Sequence, residues 1–387
     1  MRRSTPTRLR DMASRANYYG GRLGVLLPLE GITQAQAAER LGVSQGAVSK
    51  VIHGVSPLSE DLAVRLAAEF TVPLSFFARA PRASDAAAVT FRKKASTRAF
   101  EERRIGALAQ LAGDLWRAAS QRSGYYPFTP PDVLDMDADD AATAVREAAG
   151  LGADAPVASM TRMVERMGVA VVANLDPQRS YGTTMAGVSR PSASENRPVI
   201  ATLGPERGDV QRMTIAHELA HLLFDHDLAT PPRARSPRER MAFEFAGALL
   251  LPAAPMRASI GERSTIPDYM RLKARFGVSL MAIVKRAEGL HLISPGRAKS
   301  MYGQINARGW RLDEPVDVPV ERPSLLTQAT ERAWPGTPFK RISEATGVPT
   351  TLIAAWIGIN SNIAHRQQGA EVINLAARRA TLSTTSR

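Results

Sequence analysis

Two histidines and a glutamate lie close together in an apolar stretch of the sequence, Met213 to Phe224. His217 and His221 are four residues apart, so in a helix both imidazoles would point from one face, with Glu218 beside them. Two neutral imidazoles on consecutive turns can bind one zinc ion, and a catalytic site adds a third protein ligand and an open position for water. In this HExxH arrangement the glutamate takes a proton from the attacking water. The spacing predicts a zinc hydrolase site with ligands His217 and His221 and the catalytic base Glu218; a buried histidine pair with other partners is the alternative.

A third ligand for this site has two candidate positions. A metzincin would continue with HxxGxxH, but Phe224 stands in place of the glycine and Asp227 in place of the last histidine. Thermolysin-like sites use a glutamate of the next helix, and a helix is predicted over residues 236–252. That helix carries two glutamates, of which we predict Glu239 to be the metal ligand and Glu244 to be an exposed helix charge.

These two segments together resemble the ImmA/IrrE family of bacterial metallopeptidases, in which HExxH is followed by a helix of the pattern E-x-x-A-N/D-x-F-A-x-x-L-L-M-P. The matching residues are Glu239, Ala242, Phe245, Ala246, Leu249, Leu250 and Pro252. The resemblance implies a zincin-like metallopeptidase domain in which Glu239 is the ligand glutamate. Two positions depart from the pattern: Phe243 replaces Asn or Asp, and Leu251 replaces Met. Phe243 therefore removes a polar group that could support the metal ligands.

Composition narrows the choice of partners and metals. The net charge of +13 favours a polyanionic partner, because neutralised phosphates release counterions, although arginine is also abundant in proteins of high-GC bacteria. The absence of cysteine excludes disulfides and a thiolate zinc site. Histidine and carboxylate ligands suit zinc, and Mn²⁺ or Fe²⁺ can occupy such sites. Without an apolar run near eighteen residues or a signal-peptide pattern, we expect a cytoplasmic protein with no membrane partner.

The N-terminal part of the chain has the spacing of two short helices joined at a steep angle. Thr33 and Ser44 are suited to be N-caps, and Gly42 is suited to the tight turn between the helices. The apolar residues that would form the buried seam are Ala37, Ala38, Leu41, Val43, Val48, Val51 and Ile52. This pattern is typical of a helix-turn-helix.

Residues 18–79 resemble the lambda-repressor or XRE class of DNA-binding domains. The resemblance implies that the second helix enters the major groove with its N-terminus first, where a glutamine can bond adenine bidentately. Gln45 aligns with a base-contacting glutamine of the class, and Gln34 aligns with one that supports it and touches phosphate. The predicted DNA-binding residues are Gln34, Ser44, Gln45, Gly46, Ser49 and Lys50. The alternative is a helical hairpin that does not bind DNA.

The predicted fold is mainly α with a small β-sheet (α+β). Strands are expected over residues 169–174, 183–188 and 198–203, and residues 199–203 are the candidate edge strand for substrate, with an ordinary sheet strand as the alternative. A long amphipathic helix over 96–121 either joins the two halves or dimerises. Residues 339–356 repeat the helix-turn-helix spacing without its polar recognition face, which predicts a packed hairpin.

The chain is predicted to have six parts. They are a basic arm (1–17), an XRE-type domain (18–79), a linker with a connecting or dimerisation helix (80–130), a metallopeptidase domain (131–255), a helical C-terminal region (256–370) and a tail (371–387).

Two functions are compatible with this organisation. The fusion implies a DNA-binding regulator whose zinc peptidase cleaves itself or a cognate XRE repressor, which relieves repression of stress-response or mobile-element genes. Such a protein is expected to bind a double-stranded DNA operator as a homodimer and to associate with the nucleoid when DNA-bound. The alternative is a non-catalytic XRE-family transcription factor that uses the zincin-like domain for sensing or dimerisation. The intact HExxH favours the first function, whereas Phe243 and the direct fusion to DNA-binding helices favour the second.

Overall fold

The computed structural model describes residues 17–80, 90–93, 99–179, 185–191, 196–204, 207–225, 232 and 236–358. Helices dominate this part of the chain and four short strands form one sheet, which confirms the predicted class, mainly α with a small β-sheet. The predicted tail (371–387) and the predicted arm, except for its last residue, lie outside the described residues. Within the described ranges, none of the helices combines the length and the apolar character that a membrane crossing requires.

The helices and strands have the following bounds. The N-terminal helices are α1 (Leu23–Glu30), α2 (Gln34–Leu41), α3 (Gln45–Ile52), α4 (Glu60–Glu69), α5 (Ala99–Ser123), α6 (Ala138–Ala148) and α7 (Met160–Arg166). The later helices are α8 (Gly208–Phe224), α9 (Pro237–Leu250), α10 (Ala253–Ser259), α11 (Ile266–Phe276), α12 (Leu280–Gly289), α13 (Pro295–Ala307), α14 (Leu325–Ala333), α15 (Phe339–Thr346) and α16 (Thr350–Ile357). The strands are β1 (Thr90–Lys93), β2 (Ala170–Val172), β3 (Met185–Arg190) and β4 (Val199–Thr202).

The sheet has the strand order β1-β3-β4-β2. β2 and β4 are parallel, whereas β3 is antiparallel to both β4 and β1. β2, β3 and β4 correspond to the three predicted strands, but β1 was not predicted. The prediction that residues 199–203 form an edge strand is wrong, because β4 pairs with β3 on one side and with β2 on the other. A strand paired on both sides has no backbone groups left for an added peptide.

The sheet separates two hydrophobic cores. Alternate residues along a strand face opposite sides, so Val172 and Ala201 join the core that contains α5, while Val171 and Ile200 join the core that contains α8 and α9. The C-terminal region (256–370) is divided between them: α10 to α13 belong to the core that contains α8 and α9, and α14 to α16 belong to the core that contains α5 and the N-terminal helices. Its hairpin, α15 and α16, packs one face against this core, as predicted. We therefore propose that the domain around α8 extends beyond residue 255 to the end of α13.

Helix α5 connects the N-terminal helices to the sheet through buried ion pairs. Asp114 is 3.5 Å from the guanidinium of Arg22 and 3.7 Å from that of Arg79, both from the N-terminal domain. Ten residues earlier on α5, Arg104 donates to both carboxylate oxygens of Asp176, which follows β2, at 2.5 and 2.9 Å. Removing one partner of such a buried pair leaves an uncompensated charge and is strongly destabilising. Helix α5 therefore holds the N-terminal helices and the sheet together.

The segment between α13 and α14, residues 308–324, is here called the strap, and it lies directly on the first turn of α8. A Cβ added to Gly208 would lie 2.2 Å from the carbonyl oxygen of Val318, so only glycine allows this approach. The Glu321 side chain accepts hydrogen bonds from the backbone N–H groups of Met160 and Thr161, at 3.0 and 2.6 Å. It also accepts one from Arg212 of α8, at 2.6 Å. The strap thus ties α7 to the beginning of α8.

These contacts generate a pH-dependent prediction for Glu321. Burial raises the pKa of Glu321, whereas hydrogen bonds from Thr161 and the charge of Arg212 lower it. The net effect is a pKa below the ordinary value of 4.5. A group with a lowered pKa stabilises the folded state above its unfolded pKa and loses that effect as the pH falls. We expect Glu321→Gln to reduce the free energy of unfolding by about 2–3 kcal/mol near pH 7, because charged hydrogen bonds are lost.

The measurement is urea-induced unfolding of both proteins near pH 7 and near pH 4, where the difference between them should shrink. Glu244→Gln, on an exposed carboxylate of α9, is the control and should leave the unfolding midpoint unchanged. A difference for Glu321→Gln that does not depend on pH would show that the charge of Glu321 is not the cause.

Candidate metal centre and nucleic-acid interface

Helix α8 carries the predicted zinc motif and is buried along nearly its whole length. It lies between the sheet and α9, and His217, Glu218 and His221 are at most 1% exposed. Apolar neighbours such as Leu219 and Leu222 pack in the hydrophobic core that α8 shares with α9. Burial of polar side chains in such a position is costly unless each has a partner. The geometry of these partners decides what the site can do.

The structure brings the two histidines and Glu239 together. The Nε2 atoms of His217 and His221 are 3.1 Å apart, and each lies 3.4 Å from a carboxylate oxygen of Glu239. The ligand atoms of the three residues all lie within 4.8 Å of one another. Glu239 occupies this position because it is in the first turn of α9, whose start is set by the cap Ser236 and by Pro237. Two imidazole nitrogens and a carboxylate are a donor set that zinc binds.

A fourth residue, Asp225, orients the second histidine and was not predicted. Its Oδ2 atom is 2.7 Å from Nδ1 of His221, while Arg238 donates to its Oδ1 atom at 2.6 Å. Carboxylate contact at Nδ1 directs Nε2 of His221 toward Glu239, as in the carboxylate–histidine pairs that support metal ligands. The sequence did contain a signal, since Asp225 is four residues after His221 and continues the helix face of both histidines.

The electrostatics of the cluster favour positive charge between its groups. Burial lowers the pKa of His221, but the hydrogen bonds with Asp225 and Glu239 and the charge of Glu218 raise it to about 10. Burial raises the pKa of Glu239, but its hydrogen bonds with His217 and His221 lower it to about 2. Metal ligands must be deprotonated, so a bound cation would replace the proton that these carboxylates attract. The three donor groups therefore fit a divalent metal ion.

The predicted base Glu218 faces the sheet strand β3. The Ser189 hydroxyl donates to Oε2 of Glu218 at 2.8 Å. Two residues earlier in β3, a Cβ added to Gly187 would lie 3.1 Å from Oε1 of Glu218 and 2.4 Å from Cγ2 of Thr214. Glycine at this position lets β3 lie close against α8. Neither Ser189 nor Gly187 was predicted to be functional, because strand contacts with the helix are long-range and have no local sequence signal.

Two further residues of α9, Glu244 and Phe243, have clear positions. Glu244, the rival ligand, is exposed and is not in the group that could hold a metal. The Phe243 ring lies with its centroid 4.3 Å from that of His217, and 44% of Phe243 is exposed. An aromatic side chain thus packs on His217, at a position where the resembled family has a polar residue.

The two predicted helices of the DNA-binding domain form α2 and α3. The Thr33 hydroxyl caps α2 by accepting from the backbone N–H of Gln36 at 3.2 Å, and Ser44 caps α3 by accepting from Ala47 at 3.2 Å. Gly42 has φ +64°, the left-handed conformation that the turn requires. The seam is buried as predicted at Ala37, Ala38, Leu41, Val48 and Val51 and half-buried at Val43 and Ile52. Local capping and packing therefore account for the helix-turn-helix.

The predicted DNA contacts lie on the outward side of these helices. Ser44, Gln45, Gly46 and Lys50 are exposed, and Gln34 and Ser49 are half-buried. Ser49 is close to His53, whose Nδ1 atom is 2.8 Å from the Ser49 carbonyl oxygen. The N-terminal end of α3 is free of the protein core, which is the end that enters the major groove in this class of domain.

The geometry predicts different roles for the two glutamates of α9. Glu239→Gln removes a charged ligand, so we expect its zinc affinity to fall by more than the roughly 10- to 100-fold that loss of a supporting residue costs. Glu244→Gln is the matched control on the same helix and should bind zinc as the wild type does. Zinc affinity is measured by competition with a chromophoric chelator. Equal affinities for the two variants would exclude Glu239 as a ligand.

Asp225 generates a separate prediction. Asp225→Asn keeps the shape of the side chain but removes the charge that orients His221, so zinc affinity should fall roughly 10- to 100-fold. The exposed Asp313 provides the control Asp313→Asn, for which no change is expected. The same chelator competition compares the two, and an unchanged affinity for Asp225→Asn would mean that His221 needs no orienting carboxylate.

Comparison with known proteins identifies two segments of the chain. A helix-turn-helix family model matches residues 27–77, and a model described as the IrrE N-terminal-like domain matches residues 183–288. Neither the curated proteins nor the solved structures yielded a match. The first segment contains α2 to α4, and the second contains β3, β4, α8 and α9. The chain therefore joins a segment similar to a helix-turn-helix family to a segment similar to the IrrE N-terminal-like domain, in agreement with the fusion that the sequence resemblance implied.

Proposed function

We propose that this DNA-binding regulator carries a zinc-dependent peptidase that cleaves itself or a cognate XRE repressor and thereby relieves repression of stress-response genes. The observation that carries the proposal is the convergence of His217, His221 and Glu239 beside a buried Glu218, in a chain that also has a helix-turn-helix. The protein would act in the cytoplasm as a homodimer bound to a double-stranded DNA operator at the nucleoid. Zinc is the metal that the donor set favours, with Mn²⁺ or Fe²⁺ as substitutes.

The roles of the protein groups follow from their positions. His217, His221 and Glu239 would hold the ion, and Asp225 orients His221. Zinc in such a site supplies Lewis acidity that polarises a carbonyl and makes water more acidic. Glu218 would accept the proton of the water that attacks the scissile carbonyl and deliver it to the leaving amine. The hydrogen bond from Ser189 fixes the direction of the Glu218 carboxylate.

The attachment of both parts to α5 supports a regulatory link between DNA binding and the site. Arg22 and Arg79 pair with Asp114 on one side, and Arg190 of β3 donates to the carbonyl oxygen of Gln110 on α5 at 3.2 Å. Arg190 is next to Ser189, the residue that holds Glu218. A movement of α5 relative to β3 would thus reach both the DNA-binding domain and the base. This connection is a contiguous chain of contacts from the DNA-binding domain to the base.

A second candidate is a non-catalytic transcription factor in which the zincin-like domain serves as a sensor or dimerisation domain. The observation that favours it is the covering of the site: His217 and Glu218 are fully buried, and Phe243 packs on His217. A peptide cannot reach the base while these groups are covered. Under this alternative the metal would stabilise the fold, and the DNA-binding role would be unchanged.

Glu218→Gln separates the two candidates. The substitution keeps the histidine and glutamate ligands and removes the proton acceptor, so zinc content should equal that of the wild type while cleavage falls at least about 10²-fold. The proteins are incubated with the selected operator and a purified XRE repressor, and zinc content and cleavage products are measured. We expect both proteins to bind zinc equally and only the wild type to form a cleavage product. Equal zinc with no product from either supports the non-catalytic regulator.

The DNA-binding proposal is tested with Gln45→Ala. A bidentate glutamine–adenine contact contributes about 1–3 kcal/mol of discrimination, so operator affinity should fall roughly 5- to 150-fold, with little change in non-specific affinity. The operator is first selected from random DNA with the full-length protein, and affinities are then measured at one salt concentration. Gln121→Ala, an exposed glutamine of α5, is the control. Equal losses for operator and random DNA would contradict a base contact by Gln45.

A further inference from the structure

Strand β1 belongs to the linker between the DNA-binding domain and α5. It is nevertheless part of the sheet that packs on α8, the helix with the HExxH motif. It pairs antiparallel with β3 and occupies the outer position of the strand order β1-β3-β4-β2. Thr90 is opposite Ser189, and Arg92 is opposite Gly187. β1 also contacts α8. The linker therefore lies along the one side of β3 that is not paired with β4.

β3 is the strand that touches the predicted base. The Ser189 hydroxyl bonds Oε2 of Glu218, and the backbone of Gly187 comes so close to the helix that a Cβ there would collide with Thr214 and touch Glu218. Both residues face α8, since alternate residues of a strand point to the same side. The linker residues opposite them, Thr90 and Arg92, are one strand spacing away, about 5 Å.

This arrangement limits where a peptide substrate can bind. A peptide whose carbonyl is attacked by water next to Glu218 must itself lie next to the strand that touches Glu218. Extended peptides bind to sheets by adding a strand to an open edge, where main-chain groups provide the hydrogen bonds. β4 is paired on both sides, and β2 is separated from β3 by β4. The outer side of β3 is therefore the suitable edge, and β1 fills it.

We propose that the outer side of β3 is the peptide-binding edge of the metal centre and that the chain's own linker strand β1 occupies it, which blocks the site until the linker leaves. This inference rests on the proposed peptidase function. It also explains why an intact set of candidate ligands lies beside a sheet edge that is already paired, because the linker lies in the place of a substrate. The substrate is then an extended segment that competes with β1, a strand with the sequence Thr-Phe-Arg-Lys.

The linker can leave β3 without releasing the DNA-binding domain from the rest of the chain. Arg22 and Arg79, which both precede the linker, pair with Asp114 of α5, which follows it. The connection between these two parts is thus made by side chains outside residues 81–98. Displacement of β1 would open the peptide edge while the helix-turn-helix stays attached to α5. Operator binding therefore provides a control that should not depend on the state of β1.

A disulfide across β1 and β3 tests the proposal, because the chain has no cysteine of its own. Phe91 and Val188 are directly opposite in the register, and Val188 belongs to the core on the side of the sheet away from α8. Opposite residues of antiparallel strands have Cα separations of about 4.5–5.5 Å, which a disulfide can span. The test protein carries Phe91→Cys and Val188→Cys, and its reduced form is the matched control. A second variant has residues 90–93 replaced by Gly-Ser-Gly-Ser to remove the competing strand.

The probe is a fluorescent synthetic peptide of residues 86–97, and its binding is measured with zinc-loaded protein by anisotropy. We expect the Gly-Ser-Gly-Ser variant to bind the peptide at least about 10-fold more tightly than the wild type, and the oxidised disulfide variant to show no binding. Reduction should restore wild-type binding. Zinc affinity and operator affinity should be the same in all forms, which shows that each is folded.

The outcomes separate this inference from the proposed function. Peptide binding that follows the expected order without hydrolysis would support the linker-filled edge and contradict the peptidase. Equal peptide binding or equal hydrolysis by the oxidised and reduced forms would overturn the inference even if the protein is an active peptidase. Failure of the disulfide to form under an oxidant would also contradict it, since β1 would then not lie beside β3. Self-cleavage within residues 86–97 would support it, with the linker as the bound substrate.

Discussion

A buried helix that carries charged groups requires a partner for each of them, and this requirement organises the structure around α8. Arg212 is satisfied by Glu321 of the strap, His221 by Asp225, and Glu218 by Ser189 of β3. These partners come from three different segments, and Glu239 of α9 lies 3.4 Å from both histidines. The strap, the sheet and α9 must therefore all be in place before the helix can be buried without a large cost. The metal-ligand geometry is one part of this set of contacts. The same network that stabilises the fold therefore positions the candidate site.

The sequence was sufficient for the features that depend on local spacing. The HExxH spacing predicts neighbouring imidazoles, and the cap at Ser236 predicts a helix start that presents Glu239 early in α9, which the structure brings to 3.4 Å from both histidines. The helix-turn-helix could be predicted for the same reason, since caps and the seam are encoded within 20 residues. Asp225 also had a local signal, the i+4 spacing from His221.

Strand order could not be predicted, because it depends on pairing between segments far apart in the chain. Residues 199–203 were expected at the edge, yet β4 is central, and β1 comes from a linker about 100 residues earlier that has no clear strand signal. The contacts of Ser189 and Gly187 with Glu218 are long-range in the same sense. Hydrophobic periodicity predicts which residues face a core, but it does not predict which core they join. In this structure the two sides of the sheet face two different cores.

The packing of α14 to α16 with the N-terminal helices has a consequence for biosynthesis. A ribosome makes residues 18–79 early and residues 325–357 late, although both contribute to one hydrophobic core. Until the last helices emerge, one face of α5 and part of the N-terminal domain remain exposed to solvent and to chaperones. The long sequence separation also places the closing contacts late in folding. A chain cut short before residue 325 would thus lack the helices that complete the core shared with the N-terminal domain.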